Sequence, residues 1–217
     1  QLSGFVPAKK KKYRIVFYTT SEDEHESIKD QLTNIIWQSQ TVALKKLIKC
    51  LKILKDFELY IRVHPISSKR KSLHDQTKWE KFDNGKNIFV VPYNSKINSY
   101  ELLDTADLVT TYGGNIGIEA VYWGKNVITL RNAIYSKEKL IFEPKNISEL
   151  RNYIINLKFL KEPINKKKVM SFAYYFMIFG KKFKFFRCKS FNECLYKNKP
   201  ITHLSLFMRI LKIIFFK

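Results

Sequence analysis

Residues 107–120 have the sequence DLVTTYGGNIGIEA. The run Asp107–Thr111 has the β-branched, apolar character of a buried strand, and Ile118–Trp123 continues as a helix. Gly113–Gly117 separates them as a turn in which the backbone can approach an anion closely, because glycine carries no Cβ. A strand, a glycine-rich turn and a helix in this order predict phosphate binding at the carboxyl edge of a parallel sheet. The alternative is a tight turn without a ligand. The spacing is not GxGxxG, so a dinucleotide site is not indicated.

The sequence on either side predicts four further strands that alternate with helices. The predicted strands are Tyr13–Thr19, Phe57–Val63, Asn87–Val91 and Asn126–Leu130. The predicted helices are a long one that follows the polar turn Thr20–Glu26 and runs to about Leu54 with a break near Trp37–Gln40, then Ile97–Thr105 and Ile147–Leu157. Short apolar strands that alternate with helices are typical of an α/β fold, here a Rossmann-like parallel sheet with helices on both faces.

Composition limits the class of protein. The chain has 217 residues, a net charge of +21, 45% hydrophobic and 15% aromatic residues, which excludes disorder for most of its length. No apolar run approaches the ~20 residues of a membrane-spanning helix. The three cysteines form no CxxC pair and suit a reducing compartment, so we expect a cytoplasmic protein. The four histidines show no HxH or HxxxH spacing, and we expect no metal site.

The charge divides the chain into two predicted parts. Residues 1–162 form the Rossmann-like domain, and residues 163–217 form a basic, aromatic, helical segment. Residues 161–217 hold 14 basic and 2 acidic residues, a net charge of +12, which favours anionic partners. The final apolar helix, 202–217, suits the anionic inner face of the cell membrane. The alternatives are a solvated basic surface or a helix that docks on a core. No nucleic-acid-binding signature is present, and we expect no nucleic-acid partner.

Two further groups of polar residues follow predicted strands. Arg62 and His64-Pro65 end the second strand, where His64 can donate to a phosphate oxygen or protonate a leaving group. Ser21 and Glu22 follow the first strand, where a hydroxyl can meet a phosphate and a carboxylate can act as a base. The alternatives are a structural histidine and an ordinary helix start with its cap and favourable acids. Glu119 suits a ribose, or it is a surface carboxylate.

Three segments resemble, in order and spacing, a known family. They are VFYTTSEDE at 16–24, LYIRVHP at 59–65 and LLDTADLVTTYGGNIGIEAVYWGKNVITL at 102–130. The set is similar to the motifs of bacterial capsule polysaccharide biosynthesis proteins, which are GT-B-like glycosyltransferases related to Kdo transferases. The likeness covers about residues 13–185. Gly114-Asn115 departs from the family's usual hydroxyl pair, and this departure slightly favours a non-catalytic module.

The resemblance implies a function and a partner half. Such enzymes have two Rossmann-like domains that face a cleft, and this chain resembles the C-terminal one, without the N-terminal half that carries the catalytic base. The implied reaction transfers a sugar from a nucleotide-sugar donor, for example of the CMP-Kdo type, to a surface or capsular polysaccharide or a lipid-linked acceptor, with no essential metal or other cofactor. The alternatives are a nucleotide-sugar epimerase-like enzyme and a non-catalytic nucleotide- or glycan-binding module.

The resemblance also assigns roles to residues of this chain. The two with implied catalytic roles are His64 and Glu22. The implied nucleotide-sugar-binding residues are Ser21, Arg62, Pro65, Thr111, Tyr112, Gly113, Gly114, Asn115, Gly117 and Glu119.

Overall fold

The computed structural model describes residues 6–20, 37–65, 78–157, 166–179, 184–190 and 193–200. Ser21, Glu22 and the predicted helix at 202–217 lie outside these residues. The elements, in chain order, are β1 (Tyr13–Tyr18), α1 (Gln40–Leu51), β2 (Phe57–Arg62), β3 (Ile88–Val91), α2 (Ser99–Asp104), β4 (Leu108–Thr111), α3 (Ile116–Tyr122), β5 (Asn126–Thr129), a 3₁₀ turn (Ser136–Glu138), α4 (Ile147–Ile155), α5 (Lys166–Ile178), β6 (Phe186–Ser190), β7 (Glu193–Tyr196) and β8 (Lys199–Pro200).

The first five strands form one parallel sheet in the order β3-β2-β1-β4-β5. Val16 in the central strand lies opposite Tyr60 of β2 and Val109 of β4. The chain therefore builds outward from β1 to β3, then crosses back to add β4 and β5 on the other side. This is a Rossmann-like order, and it confirms the predicted α/β fold.

The sheet is buried on both faces because its strands carry apolar side chains in both directions. In β1, Ile15 and Phe17 pack in a cluster with apolar residues of α1 and α4. Val16 and Tyr18, one residue out of phase, pack in a second cluster with residues of α2 and α3. Alternate residues of a strand face opposite sides, so helices cover both faces, as expected of a parallel sheet.

The glycine-rich turn is shorter than the sequence predicts. The helix α3 begins at Ile116, so Gly117 belongs to its first turn and not to the loop. A Cβ built on Gly117 would lie 3.1 Å from Cζ of Tyr135 and 3.2 Å from Cγ2 of Thr111. Glycine is needed there for helix packing, and Gly117 lies in the first turn of α3 instead of in the preceding loop.

The chain divides into two compact units, Gln1–Tyr174 and Tyr175–Lys217. This division lies further along than the predicted boundary after residue 162. The first part of α5 explains the difference, because Val169 is buried in the second apolar cluster and the Phe172 ring meets Tyr135 at 6.2 Å between centroids. The Lys168 ammonium also donates to the carbonyl of Glu138.

The sequence predicts a helical segment over residues 163–217, whereas the described part of the second unit contains strands. β6, β7 and β8 form an antiparallel sheet. Lys197 and Asn198 join β7 to β8 with φ angles of 49° and 65°. Two consecutive left-handed residues are typical of the tight turn that suits the twist of a hairpin. No helix among the described residues has both the length and the apolar content to cross a bilayer.

Candidate functional site

A pocket of about 290 Å³ opens at the carboxyl edge of the sheet. Its described wall comes from the ends of β1 and β2, the start of α2, and the turn between β4 and α3. The wall residues are Tyr18, Thr19, Thr20, Arg62, His64, Pro65, Ser99, Gly114, Asn115, Ile116 and Glu119. The pocket lies where the strand order reverses, between β1 and β4. Open α/β sheets bind ligands in the crevice at this point.

A hydrogen bond ties the end of β2 to the end of β1. The backbone N–H of His64 donates to Oγ1 of the buried Thr19 at 2.9 Å. The strand β2 ends at Arg62, the Val63 N–H still donates to the carbonyl of Val91 in β3 at 3.0 Å, and Pro65 is exposed. The half-buried His64 side chain therefore borders the pocket on a backbone that is fixed from β1.

Arg62 supplies a positive charge beneath the pocket but is largely committed to the fold. Its side chain is buried, and its guanidinium donates from Nη1 to the carbonyl of Pro92 at 2.6 Å and from Nε to Oγ of Ser99 at 3.2 Å. Burial lowers the pKa of Arg62, while the nearby Tyr18 raises it. Burial also raises the pKa of Tyr18, whose hydroxyl donates to the carbonyl of Ser99 at 2.7 Å. Arg62 therefore holds the start of α2 in place.

Thr20, the second residue after β1, is held by the first residue of α1. The buried amide of Gln40 accepts from the Thr20 N–H at 2.9 Å and donates to the Thr20 carbonyl at 3.0 Å. Both backbone groups of Thr20 are thus satisfied by one side chain. This pair fixes the point from which the chain continues to Ser21 and Glu22, which lie outside the described residues.

Two glycines shape the wall that belongs to β4 and α3. Gly113 has a φ of +84°, a conformation that other residues rarely adopt, and its N–H donates to Oγ1 of Thr129 at 3.1 Å. A Cβ on Gly114 would lie 2.7 Å from Cγ2 of Thr20. The Tyr135 hydroxyl donates to the Gly114 carbonyl at 2.5 Å, and burial raises the pKa of Tyr135. The turn is therefore held from behind and in close contact with the β1 loop.

The structure separates the predicted site residues into two groups. Arg62, His64, Pro65, Gly114, Asn115 and Glu119 lie on the described wall of the pocket. Thr111, Tyr112, Gly113 and Gly117 lie behind it.

Three of the residues behind the wall have structural contacts of their own. The buried Thr111 accepts from the Gly114 N–H through Oγ1 at 3.2 Å. The buried Tyr112 donates its hydroxyl to the carbonyl of Trp37. Gly117 leaves room for Tyr135. These residues support the turn from the core side.

Glu119 lies on α3 at the boundary between this pocket and a second one. The Tyr100 hydroxyl donates to Oε2 of Glu119 at 2.7 Å. This hydrogen bond, together with burial, raises the pKa of Tyr100. The second pocket is an apolar groove of about 350 Å³. It is lined by Tyr100, Ile118, Glu119, Tyr122, Trp123, Val169, Met170 and Ala173. The carboxylate therefore separates a polar cavity from an apolar one.

Sequence reasoning missed several residues of this site. Tyr18 and Ser99 line the pocket, and Gln40 and Tyr135 support its walls. Ser99 carried a usable signal, because it follows the third strand and so reaches the same edge of the sheet. Gln40 and Tyr135 carried none, since each acts through a contact about 20 residues away along the chain. The described residues contain no group of three or more His, Cys, Asp or Glu residues placed to hold a metal ion.

Comparisons with known proteins give distant structural likenesses. No family model matches the chain, and no curated protein matches it. The chain is similar in structure to a Thermosulfurimonas dismutans KpsC beta Kdo 2,7 transferase, with 21% identity over 67% of this chain and 46% of that one, at a TM-score of 0.44. It is similar to the UDP-GlcNAc 2-epimerase from Methanocaldococcus jannaschii, with 16% identity over 76% and 45%, at 0.46.

A third similar structure is the spinosyn rhamnosyltransferase SpnG complexed with spinosyn aglycone. The identity is 13% over 81% of this chain and 45% of that one, at a TM-score of 0.48. The chain therefore spans less than half the length of each of these three proteins.

Proposed function

We propose that this chain is the nucleotide-sugar-binding half of a GT-B-type glycosyltransferase. The observation that carries the proposal is the pocket at the reversal point of the sheet. Residues that are far apart in the sequence, His64-Pro65, Gly114-Asn115 and Glu119, border it together. Each of these segments belongs to a motif that resembles the capsule polysaccharide biosynthesis proteins. A polar crevice at this position of an α/β sheet is the common location for a nucleotide.

The proposed roles follow from where each group lies. The imidazole of His64 donates to a phosphate oxygen of the donor, beside Pro65. The backbone N–H groups of Asn115 and Ile116, at the start of α3, precede the first intrahelical hydrogen bonds and are directed to an anion. The free carboxylate oxygen of Glu119 accepts from a ribose hydroxyl. Ser21 and Glu22, which follow β1 in the sequence, complete the proposed set, with Glu22 as a catalytic carboxylate.

The proposed reaction transfers the sugar to an acceptor hydroxyl. The acceptor oxygen forms a bond to the anomeric carbon of the sugar, and the bond from that carbon to the donor phosphate breaks with its electron pair. The nucleotide leaves with the negative charge, which His64 and the charge of the buried Arg62 stabilise. The acceptor proton passes to a base supplied by a second, N-terminal half of the enzyme. The acceptor is a surface or capsular polysaccharide or a lipid-linked glycan.

We also propose that residues 202–217 bring the enzyme to the anionic inner face of the membrane. This segment combines apolar residues with Arg209, Lys212 and Lys217. An amphipathic basic segment binds anionic lipid through both buried apolar area and charge. Deletion of 202–217 should reduce sedimentation with vesicles that contain an anionic phospholipid. Unchanged sedimentation would reject this part of the proposal.

Calorimetric titration with CMP, UDP, GDP and ADP at two salt concentrations tests the nucleotide site. We expect one nucleotide to bind preferentially, with an affinity that changes little between the two salt concentrations. Non-specific binding of nucleic acid, in contrast, weakens steeply with salt. The variant Glu119→Ala should weaken binding, whereas Asp56→Ala, at the opposite edge of the sheet, is the matched control. Equal affinity of Glu119→Ala and the unaltered chain would place the nucleotide elsewhere.

A further inference from the structure

The start of α2 is fixed by its own N-cap residue and by the ends of two strands. The Asn98 side chain accepts from the Tyr100 N–H at 2.8 Å and caps the helix. Tyr18 at the end of β1 donates to the Ser99 carbonyl, and Arg62 at the end of β2 donates to the Ser99 hydroxyl. The backbone that carries Tyr100 is therefore held at a defined position beside the pocket.

From this position, Tyr100 reaches across to α3. Its side chain is 41% exposed, yet its hydroxyl donates to Oε2 of Glu119 at 2.7 Å, across 19 residues of sequence. Glu119 borders both the polar pocket and the apolar groove. A carboxylate at such a boundary has more than one rotamer available, and a directed hydrogen bond from a fixed donor selects among them.

We infer that Tyr100 is a positioning residue, which holds the carboxylate of Glu119 so that Oε1 serves the ligand in the polar pocket. This inference rests on the proposed nucleotide site. Among the described residues, Tyr100 provides the hydrogen bond to the Glu119 carboxylate, and it uses Oε2. The remaining oxygen accepts from a ribose hydroxyl.

The chemistry of the pair fits this role. The hydrogen bond to Glu119 is the largest of the causes that raise the pKa of Tyr100, so the phenol remains a donor at neutral pH. A hydrogen bond to an ionised acceptor is stronger than one between neutral groups. The donor occupies part of the acceptor capacity of Oε2, which leaves Oε1 as the better acceptor for a ligand hydroxyl.

Tyr122 is a matched control for Tyr100. It is 40% exposed, lies on α3 close to Glu119 in the sequence, and lines the same apolar groove. A Tyr→Phe change at either position removes one hydroxyl and keeps the ring. The two variants therefore differ in whether the lost hydroxyl is the one that reaches Glu119.

The experiment has two readouts, one of them independent of any ligand. The first is the ¹³C resonance of the Glu119 carboxyl in the full chain, assigned by Glu119→Gln. We expect Tyr100→Phe to move this resonance and Tyr122→Phe to leave it in place. The second is the affinity for CMP and UDP compared with their 2′,3′-dideoxy forms. We expect Tyr100→Phe to reduce the preference for the ribose form about fivefold, and Tyr122→Phe to preserve it.

The outcomes separate the inference from the proposed function. A Glu119 resonance that Tyr100→Phe leaves unmoved overturns the inference, whatever binds in the pocket. A moved resonance with an unchanged ribose preference also overturns it, because the carboxylate is then held without serving the ligand. An unaltered chain that binds none of the nucleotides rejects the proposed nucleotide site, and the resonance then decides alone whether Tyr100 holds the carboxylate.

Discussion

At the amino edge of the parallel sheet one charged pair is fully buried, whereas at the carboxyl edge charged and polar side chains border an open pocket. At the amino edge, Arg14 and Glu58 form a fully buried ion pair with 2.6 Å between Nε and Oε1. The remaining guanidinium nitrogens donate to Oγ1 of Thr105 at 3.0 Å and to the carbonyl of Pro7 at 2.8 Å. The guanidinium also lies over the Tyr60 ring at 4.8 Å.

The two edges differ in which polar side chains border a cavity that a ligand can enter. Every nitrogen of the Arg14 guanidinium has an acceptor within the chain, so this group is a structural element of the fold. At the carboxyl edge, backbone contacts such as those of Thr20 and His64 fix the loops, while the His64 side chain and the Glu119 carboxylate border the cavity. Burial and charge alone would therefore have pointed to the amino edge and away from the proposed site.

The largest loss of stability is expected when the buried ion pair at the amino edge of the sheet is disrupted. Arg14→Ala leaves the Glu58 carboxylate buried without its partner, which should cost about 3–5 kcal/mol of unfolding free energy. Denaturant titration measures this loss. The double replacement Arg14→Met with Glu58→Leu should be much more stable than the single one, because it removes both charges. A much smaller loss of unfolding free energy in Arg14→Ala would mean that water solvates the pair.

Gly117→Ala tests the packing of α3 against Tyr135, behind the pocket at the carboxyl edge. The added methyl group meets the ring and hydroxyl of Tyr135, and overpacking of this kind should cost about 1–3 kcal/mol of unfolding free energy. Tyr135→Phe removes the hydroxyl that the methyl group meets. In a double-mutant cycle, the two changes together should cost less than the sum of the separate costs. Strict additivity would show that the contact does not limit this position.

His64→Ala tests the pocket at the carboxyl edge of the sheet. If the proposed nucleotide site is correct, removal of the imidazole should weaken nucleotide binding about tenfold or more, because the proposed hydrogen bond to a charged phosphate is lost. The unfolding free energy should change by less than it does in Arg14→Ala, since His64 is only half-buried. Calorimetry and denaturant titration on the same samples give both numbers. A variant that loses stability but retains affinity would make His64 structural.

The smallest expected effect is on the pH dependence of stability, at Asp56 on the amino edge of the sheet. The backbone N–H of Lys12 donates to Asp56 and lowers the pKa of this carboxyl below its ordinary 3.8, with a smaller contribution from Lys11. A depressed pKa contributes stability that is present above 3.8 and is lost as the pH falls through the folded value. Asp56→Asn should therefore flatten the dependence of Tm on pH below 3.8. An unchanged slope there would show that Asp56 is not a source of acid sensitivity.

Much of the fold could be predicted because its signals are local. The apolar runs that became β1, β2, β4 and β5 each end within one residue of the predicted strands. Their alternation with helices then dictates a parallel sheet. The residues that follow these strands had to meet at the carboxyl edge, which is why the positions of His64, Gly114 and Glu119 at one pocket were accessible from sequence.

What could not be predicted depends on contacts between distant residues. The sequence near Gly117 suits a turn as well as a helix start, and its close contacts with Tyr135 and Thr111 come from residues 18 and 6 positions away in the sequence. Tyr100 and Gln40 look like ordinary helix residues until their partners, Glu119 and Thr20, are seen across the fold. The strands of the second unit were missed because a basic, aromatic composition is shared by helices and hairpins, and the deciding turn is short.

The two hydrogen bonds between Gln40 and Thr20 hold one part of the pocket wall by a contact that does not depend on charge. An amide carries no net charge and takes up no proton between acid and base, so its two hydrogen bonds are insensitive to pH and are barely screened by salt. Interactions between exposed charges, in a chain with a net charge of +21, are in contrast screened by salt. The part of the pocket wall at Thr20 is instead held by a neutral side chain. Its position therefore stays constant when pH or salt changes the electrostatic field around it.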